Sequence, residues 1–510
     1  MSTKPDYFTK GERARLIPVA ADSSKEVRAT SVFLATMMAV PPFAERMLDT
    51  IGQKVGKRSE IACFTEVGFK QANGGKNHRP DGFVSLSSGR GRQWTALVEA
   101  KIGNAEIDAE QVKAYATLAK EHGIDAVITI SNQFSALPTH TPVEIGRVLS
   151  RNVGLFHWSW MFILTEAMLL ISDDNFDAPE QKFILSELVR YLSHDSVGVK
   201  RFDRMNKEWK DVVLAVNART ALNKNTSDIQ NTVAAWHQEA RDVTLLMTRK
   251  VQRRVRQKLS RAHANDPSTR LSGDAEKLAG NHVLDFVLDI PDAADALEVQ
   301  ADIARRCLIC SMTLEAPDTK RLQSRINWLL KQLTKSNPSD VWVEMQFPGK
   351  VPPVRVTLVQ LRAEEGLNQE TFPSSLPTAF KVMMVKDIAG KFSGSRTFIE
   401  ELEKFVPEFY ENVGQLLESF RPKPPQLKAE KAESASALSE DSAKGLRDVS
   451  IAANDAAEDA LEMVLASKVE AVSSSGDEEE KQWPPLVPSP EEAALDPVSP
   501  PTQYLPTTEQ

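Results

Sequence analysis

The chain has 510 residues, enough for two or three domains, and its 41% hydrophobic and 26% charged residues are typical of soluble globular proteins. Three cysteines in so long a chain indicate a reducing, cytoplasmic setting, and the lone pair Cys307 and Cys310 argues against a zinc site. The N-terminus lacks the apolar core of a signal peptide. The most apolar run, residues 155–171, contains His157 and Glu166 and is short for a membrane span, so we expect no membrane association.

The net charge of −8 conceals an uneven distribution of charge along the chain. Residues 431–510 hold 5 of the 62 basic and 17 of the 70 acidic residues, which leaves 57 and 53 in the first 430 residues. The body is therefore mildly basic and the tail strongly acidic. From residue 422 onward the chain is rich in Ala, Ser, Glu and Pro and poor in aromatic residues, which predicts a disordered acidic tail at residues 422–510.

The N-terminal part is predicted to contain a loose segment, a helix and a strand. Residues 1–20 are polar and are expected to be loosely held. The capping-box spacing of residues 23–26 predicts the start of a helix, and this capping role accounts for Glu26. Residues 61–69 have the composition of a strand. Glu66, at the centre of that strand, is either a metal ligand or an exposed strand residue.

The segment 79–101 has the pattern of a β-hairpin. Two runs rich in strand-forming residues flank a turn of small residues and glycine centred on Arg90. Asp81 lies nine residues before Arg90 and Glu99 nine after it, so the two face each other in an antiparallel pair, with Cβ atoms roughly 5 Å apart. Lys101 falls on the same face as Glu99 by the period-two rule. Carboxylates this close repel each other unless a cation, such as a divalent metal, lies between them.

A helix and two strands are predicted after the hairpin. Residues 108–121 have a helical pattern, and residues 126–130 and 153–158 have the pattern of buried strands. A strand, a helix and a strand in succession imply a right-handed parallel crossover. We therefore predict an α/β fold with a mixed central sheet flanked by helices.

Each residue singled out in this region also has an ordinary structural explanation. Asp81 suits a turn, and Glu99 and Lys101 could form a charged strand end. Gln111 has the spacing of a helix-capping residue, and Tyr115 could fill the core. The five residues together, in this order and context, favour a site that cleaves phosphodiester bonds.

These residues resemble the motifs of the PD-(D/E)XK nuclease superfamily. Pro80-Asp81 and Glu99-Ala100-Lys101 match its central motif. Residues 111–115, Gln-Val-Lys-Ala-Tyr, look like the Gln-x-x-x-Tyr motif of its helicase-associated and CRISPR-adaptation branches. The resemblance covers residues 20–160, a nuclease-like domain, and implies a restriction-endonuclease-like core there.

The resemblance also implies how the hairpin would act. Asp81, Glu99 and the Ala100 carbonyl would bind Mg²⁺ or Mn²⁺, with Glu66 as a helper, since oxygen ligands suit these ions. Lys101 would orient the attacking water or stabilise the transition state at phosphorus.

Two further sets of residues take supporting roles by the same resemblance. Gln111 and Tyr115 would position the substrate or hold the metal shell. Superfamily members often carry another acid on the first helix, for which Glu26 and Glu45 are the candidates.

The remainder is predicted to contain a helical region at residues 161–265 and a separate α+β domain of unknown role at residues 280–420. An apolar stripe in the helical region indicates a long helix that continues to Leu259. The basic residues near its end either bind the phosphates of a nucleic acid or form a solvated face. They include Arg253, Arg254 and Lys258.

The sequence therefore predicts a Mg²⁺-dependent nuclease that acts on nucleic acid, DNA in the first instance. The alternative is a catalytically inactive member of the same fold that binds nucleic acid, or a partner protein through its C-terminal half, in a stress or defence response. Residues 191–209 resemble uncharacterised bacterial stress-response proteins, a resemblance that implies no mechanism.

Removing residues 431–510 is expected to leave the melting temperature nearly unchanged, because this segment has too few apolar residues to offset the entropy of ordering it. Thermal denaturation of the full and truncated chains checks this. A cooperative loss of stability on truncation would contradict the predicted disorder.

Overall fold

A computed structural model describes residues 5–17, 25–69, 79–88, 93–143, 152–336, 340–363 and 373–420. These residues belong to one compact unit, Met1–Lys423. The predicted hairpin turn around Arg90 and the predicted tail at residues 422–510 lie outside the described residues.

The N-terminal half is built on a sheet of six described strands. Its elements in chain order are β1 (Phe8–Arg13), α1 (Lys25–Ala39), α2 (Pro41–Asp49), β2 (Glu60–Phe69), β3 (Gly82–Ser87), β4 (Gln93–Ala100), α3 (Ala109–Glu121), β5 (Ala126–Ser131) and β6 (Gly154–Ser159). The strands are adjacent in chain order, antiparallel from β1 to β4 and parallel from β4 to β6. The predicted mixed sheet, with a parallel connection through α3, is confirmed.

Described residues 160–251 form helices α4 (Trp160–Ile171), α5 (Pro179–Leu192), α6 (Trp209–Asn217) and α7 (Ser227–Val251). The region that the sequence predicts to be helical thus contains helices up to Val251. The prediction that one helix continues to Leu259 is wrong, because Gln252 adopts a left-handed conformation (φ 55°) at the end of α7. Arg256–Gln257 instead forms a short strand, β7.

The C-terminal half contains an antiparallel sheet in the order β12-β11-β13-β10-β9-β8-β7. Its elements are α8 (Arg261–Asn265), α9 (Pro267–Asn281), β8 (Val283–Asp289), β9 (Leu297–Asp302), β10 (Cys307–Glu315), α10 (Leu322–Gln332), β11 (Val341–Gln346), β12 (Val354–Thr357), α11 (Leu358–Arg362), β13 (Ala379–Asp387), α12 (Ala389–Phe392) and α13 (Ser395–Asn412). In the sequence, strand-like runs at residues 284–288, 307–310, 341–345 and 354–358 predict β8, β10, β11 and β12, but no run predicts β9 or β13. The sequence also predicts a last helix over residues 397–420, whereas α13 ends at Asn412.

Helices cover both faces of the first sheet. Side chains alternate along its strands, so each strand contributes residues to the cores on both faces. Val84 and Val98 pack in a core with α1, α2, α4 and α5. Phe83 and Leu97 point to the other face and pack with α3. Glu99, two residues after Leu97, therefore lies on the face that carries α3.

Strand β1 corrects the expectation that residues 1–20 are loosely held. It pairs antiparallel with β2, and Phe8 packs edge-on against Phe83 with ring centroids 4.9 Å apart. The other β1 side chains are polar or glycine, so the strand has no alternating apolar signal in the sequence.

One apolar core joins the helical region to the second sheet. Trp209 and Trp236, on α6 and α7, lie with Phe286 of β8 and Phe398 of α13 in this core. The Trp209 and Phe398 rings are 4.6 Å apart, and the Trp236 and Phe286 rings are 5.2 Å apart. Helices α6 and α7 therefore share their core with the predicted α+β domain.

Within the described part of the chain, no single helix has both the length and the apolar character needed to cross a membrane. Helices α1 and α2 meet that test only as a pair, and they are bent by 109° relative to each other.

Gly82 lets α1 pack closely against β3, since a Cβ there would lie 2.7 Å from Leu34 Cδ1 and 3.3 Å from Val98 Cβ. Gly82→Ala is therefore expected to lower the free energy of unfolding by about 1–3 kcal/mol, the usual cost of overpacking. Gly280→Ala on α9 is the control, because nothing lies within 4 Å of its Cβ position. Urea denaturation compares both variants with the unsubstituted protein. If Gly82→Ala were as stable as the unsubstituted protein, α1 would have moved away without cost.

Candidate active site

Asp81 and Glu99 meet at one end of the hairpin, in the register that the sequence predicts. Gly82 pairs with Val98 across β3 and β4, and one further step of this register sets Asp81 opposite Glu99. The Ala100 backbone N–H donates a 2.9 Å hydrogen bond to Asp81 Oδ2. This bond fixes one oxygen of Asp81 against the strand that carries Glu99.

Lys101 adds a cation to this pair of carboxylates. Its Nζ lies 2.5 Å from Glu99 Oε1, with 18% of the lysine side chain and 3% of the glutamate side chain exposed. The Lys101 backbone N–H donates to Ile130 O of β5 at 2.8 Å, and its carbonyl accepts from Trp160 Nε1 of α4 at 2.9 Å. The neighbouring strand and helix thus hold the lysine backbone in place.

The second oxygen of Glu99, Oε2, is buried and takes no part in the ion pair with Lys101. The Tyr115 hydroxyl lies close enough for a hydrogen bond with Glu99 that opposes the rise of the Glu99 pKa, and it also lies 3.2 Å from the Arg79 carbonyl. The hairpin end thus leaves one buried Glu99 oxygen, Oε2, outside the lysine contact. Because hard divalent cations prefer carboxylate oxygens, this atom fits the metal that the sequence predicts.

Gln111 and Tyr115 form a connected pair on α3. Gln111 Nε2 donates to the Tyr115 hydroxyl at 3.0 Å, and that hydroxyl donates to the Arg79 carbonyl. Asp108 caps α3 by accepting from the Glu110 backbone N–H at 3.0 Å. The Gln111 amide is therefore directed toward the hairpin, and Tyr115, which is 3% exposed, both fills the core and supports the residues before Asp81.

Glu66 contacts the site through its backbone. It has a left-handed conformation (φ 52°), and its N–H donates to the Asp81 carbonyl at 3.0 Å. Its carboxylate forms a 2.6 Å ion pair with Arg79. Glu66 therefore holds Asp81 in place, and a role as helper ligand stays a prediction.

Of the two acids proposed on the first helix, Glu26 is the one near the hairpin end. Glu26 Oε1 accepts a 3.4 Å hydrogen bond from the Ile102 backbone N–H, and its charge contributes to raising the pKa of Asp81. Residues 23–24 of the predicted capping box lie outside the described residues. Glu45 is exposed and lines a different cavity beside α2.

Burial and mutual repulsion shift the proton affinities of the site. Burial, and after it the charge of Glu99, raise the pKa of Asp81 to about 7, although the Ala100 N–H and Lys101 oppose the rise. Burial also raises the pKa of Glu99, against the opposing hydrogen bond from Lys101. For Lys101, burial lowers the pKa, but Glu99 and Asp81 outweigh it and the net shift is upward. Lys101 is thus a cation at neutral pH, and Asp81 titrates there.

The structure does not bring the predicted nucleic-acid-binding residues to this site. Arg254 lies 2.5 Å from the buried Glu166 of α4, and Arg253 lies 2.8 Å from Asp292. Lys258 is exposed, and its backbone N–H donates to β8 at 2.9 Å. All three follow the end of α7, so they do not form a stripe on one helix, and phosphate binding by them stays a prediction.

Sequence reasoning gave no role to Trp160, whose indole holds the Lys101 carbonyl. The two residues are 59 positions apart, and no short-range pattern connects them. A buried tryptophan at the start of a helix after a parallel strand is an ordinary core residue from the sequence alone.

The raised pKa of Asp81 predicts how stability depends on pH in metal-free buffer. Between about pH 4 and pH 7 the folded state retains a proton that the unfolded state releases, so the free energy of unfolding falls as the pH rises through this window. Asp81→Asn removes this contribution, so its free energy of unfolding is expected to fall less steeply with pH. The two slopes should differ by at most about 1.4 kcal/mol per pH unit. Chemical denaturation from pH 4 to pH 8 with a chelator measures the difference. Parallel curves for the two proteins would contradict the pKa.

Comparison of the chain with protein-family models, curated proteins and solved structures finds no match. The functional assignment accordingly rests on the geometry of the hairpin end. That geometry offers two adjacent carboxylates, a buried Glu99 oxygen outside the lysine contact and a lysine ammonium.

Proposed function

We propose that the protein is a metal-dependent nuclease of the PD-(D/E)XK type, which hydrolyses phosphodiester bonds in DNA. The observation that supports this most is the convergence of two adjacent carboxylates and an ammonium at the hairpin end. Asp81 Oδ2 accepts the Ala100 N–H at 2.9 Å, and Glu99 Oε1 accepts the Lys101 ammonium at 2.5 Å. The second Glu99 oxygen is buried outside that ion pair, where a metal ion could bind it.

The architecture around the hairpin agrees with a restriction-endonuclease-like core. An antiparallel hairpin leads into α3 and then into parallel strands, and α1 lies across the opposite face of the sheet. Helix α3 carries Gln111 and Tyr115 on the side of the sheet that also carries Glu99. This agreement supports the proposal and is independent of the motif residues themselves.

Asp81, Glu99 and the Ala100 carbonyl would hold the ion, and Glu26 is a further acid whose charge acts on both carboxyls. A bound Mg²⁺ or Mn²⁺ supplies a water of lowered pKa and neutralises charge that develops on the phosphate. Asp81 must give up its proton to act as a ligand, and its pKa of about 7 sets the pH at which it does so. Metal affinity is therefore expected to rise as the pH increases through neutrality.

Lys101 provides a fixed cation at the end of the hairpin. Its ammonium has three donors, of which the Glu99 hydrogen bond uses one. The others can donate to the attacking water or to a non-bridging phosphate oxygen. Because the Lys101 backbone is tied to Ile130 and Trp160, this donor is held in place before the substrate binds.

The Gln111 and Tyr115 pair acts through Arg79. Its hydrogen bonds hold the Arg79 carbonyl, and Arg79 lies two residues before Asp81. These are positioning residues: Gln111 holds the Tyr115 hydroxyl, which in turn contacts the Arg79 carbonyl and Glu99. The Arg79 guanidinium, paired with Glu66 and 44% exposed, is at the surface beside the site, where it could meet a phosphate.

Asp81→Asn is expected to abolish cleavage and to weaken stabilisation by Mg²⁺ or Mn²⁺, because the site loses an anionic ligand while the shape is kept. Stability without metal should be equal or higher, since Glu99 loses a neighbouring like charge. The measurement is incubation with linear, circular and single-stranded DNA, with each ion and with a chelator, alongside thermal denaturation.

Lys101→Met is expected to slow cleavage by about 10²-fold or more, the usual cost of losing one transition-state contact, while metal-induced stabilisation is retained.

Glu26→Gln should reduce the metal-induced shift in melting temperature. Glu45→Gln, on the exposed side of α2, serves as the matched control and should behave like the unsubstituted protein. Absence of both metal stabilisation and cleavage in the unsubstituted protein, with Asp81→Asn identical to it, would favour the catalytically inactive alternative.

A further inference from the structure

Three carboxylates outside the hairpin site converge between α7 and α13. Glu239 and Asp242 are three residues apart on one face of α7, and Glu403 comes from α13. One oxygen of each lies within 4.8 Å of the others. The Glu239 and Asp242 residues are both 0% exposed, and 19% of the Glu403 side chain is exposed.

Neighbouring donors satisfy only part of this cluster. The Arg201 guanidinium lies 2.5 Å from Glu403 Oε1 and 3.7 Å from Asp242 Oδ2, and the Phe202 backbone N–H donates to Asp242 Oδ2 at 2.9 Å. In contrast, both oxygens of Glu239 and Oδ1 of Asp242 are buried with no hydrogen-bond donor in the described ranges. Three buried acceptor atoms of the cluster, two of them on Glu239, therefore have no hydrogen-bond donor among the described residues.

We propose that Glu239, Asp242 and Glu403 form a second binding site for a hard divalent cation of the size of Ca²⁺. Both Glu239 oxygens and Asp242 Oδ1 would bind the ion, together with a Glu403 oxygen. Ca²⁺ binds carboxylates at about 2.3–2.6 Å, so opposed ligands are about 5 Å apart, which accommodates oxygens within 4.8 Å of one another. Mg²⁺, with bonds of about 2.0–2.1 Å, would require the cluster to contract.

A proton is the competing occupant of this cluster, and it satisfies fewer atoms. A proton shared between Glu239 and Asp242 supplies one donor, which leaves the other Glu239 oxygen buried and unpaired. A cation bound by both Glu239 oxygens leaves neither unpaired. Burial, and after it the charges of Asp242 and Glu403, raise the pKa of Glu239 well above its usual value when no cation is bound.

Two arginines limit the charge of the bound state. Arg201 pairs with Glu403 and Asp242. Burial raises the pKa of Asp242, and the charges of Arg201 and Arg249 oppose that rise. Arg249 itself donates to Thr165 of α4 at 2.8 Å. The cation would therefore join α7 to α13 directly and stabilise a region connected to α4. This is a structural role, separate from catalysis at the hairpin.

The experiment uses the full chain with Asp81→Asn and Glu99→Gln, which removes the hairpin carboxylates and separates this proposal from the proposed nuclease. After treatment with a chelator, isothermal titration with Ca²⁺ is expected to show one bound ion, and Ca²⁺ should raise the melting temperature by a few degrees more than Mg²⁺ does. Adding Glu239→Gln should abolish both effects, whereas Glu276→Gln, an exposed acid on α9, should leave them unchanged.

Glu403→Gln is the second variant, because this partly exposed residue is the one least required for folding. It should weaken Ca²⁺ binding at least tenfold while the melting temperature without metal stays within a few degrees. Two results would overturn the proposal: no Ca²⁺ binding in the hairpin double variant, or equal binding after Glu239→Gln or Glu403→Gln. Higher stability of Glu239→Gln without metal, together with no binding, would assign the cluster to a shared proton.

Discussion

The hydrogen bond from the Ala100 N–H to Asp81 Oδ2 is the interaction on which the candidate site depends. At 2.9 Å it joins the residue before β3 to the last residue of β4, so the hairpin register and the position of the carboxylate are set together. A one-residue slip of β4 would turn Glu99 toward the apolar core under α1. The register that packs Val98 into that core therefore also places Glu99 on the face that carries α3.

Around this bond, opposing effects act on the protonation of Asp81 and Glu99. Burial raises the proton affinity of both carboxyls, and the Lys101 ammonium lowers it. Glu99 shares a hydrogen bond with Lys101, whereas Asp81 receives only a backbone N–H and a more distant charge. The two acids are thereby made unequal: Glu99 is paired with a cation, and Asp81 gains or loses a proton near neutral pH. The metal ion proposed for this site would have to displace that proton from Asp81.

The sequence predicts local and periodic features well and long-range contacts poorly. The register between Asp81 and Glu99 follows from the symmetry of a short turn, and the face shared with Lys101 follows from the two-residue period. Strand β1 has one buried aromatic residue among polar ones, so nothing in its pattern indicates pairing. The end of α7 at Gln252 depends on a left-handed residue that carries no glycine signal, and the partner of Arg254 is Glu166, 88 positions away. Such pairs are set by the tertiary structure alone.

The hydrogen bond from the Trp160 indole to the Lys101 carbonyl has a consequence for how this protein can evolve. Trp160 is 0% exposed and packs edge-on against Phe33 of α1, with ring centroids 6.3 Å apart. A phenylalanine at position 160 would preserve most of that apolar contact but leave the lysine carbonyl without its donor. Substitutions in this part of the core are therefore constrained by the candidate site. Even a residue of similar volume at position 160 would remove the hydrogen bond that holds the Lys101 backbone.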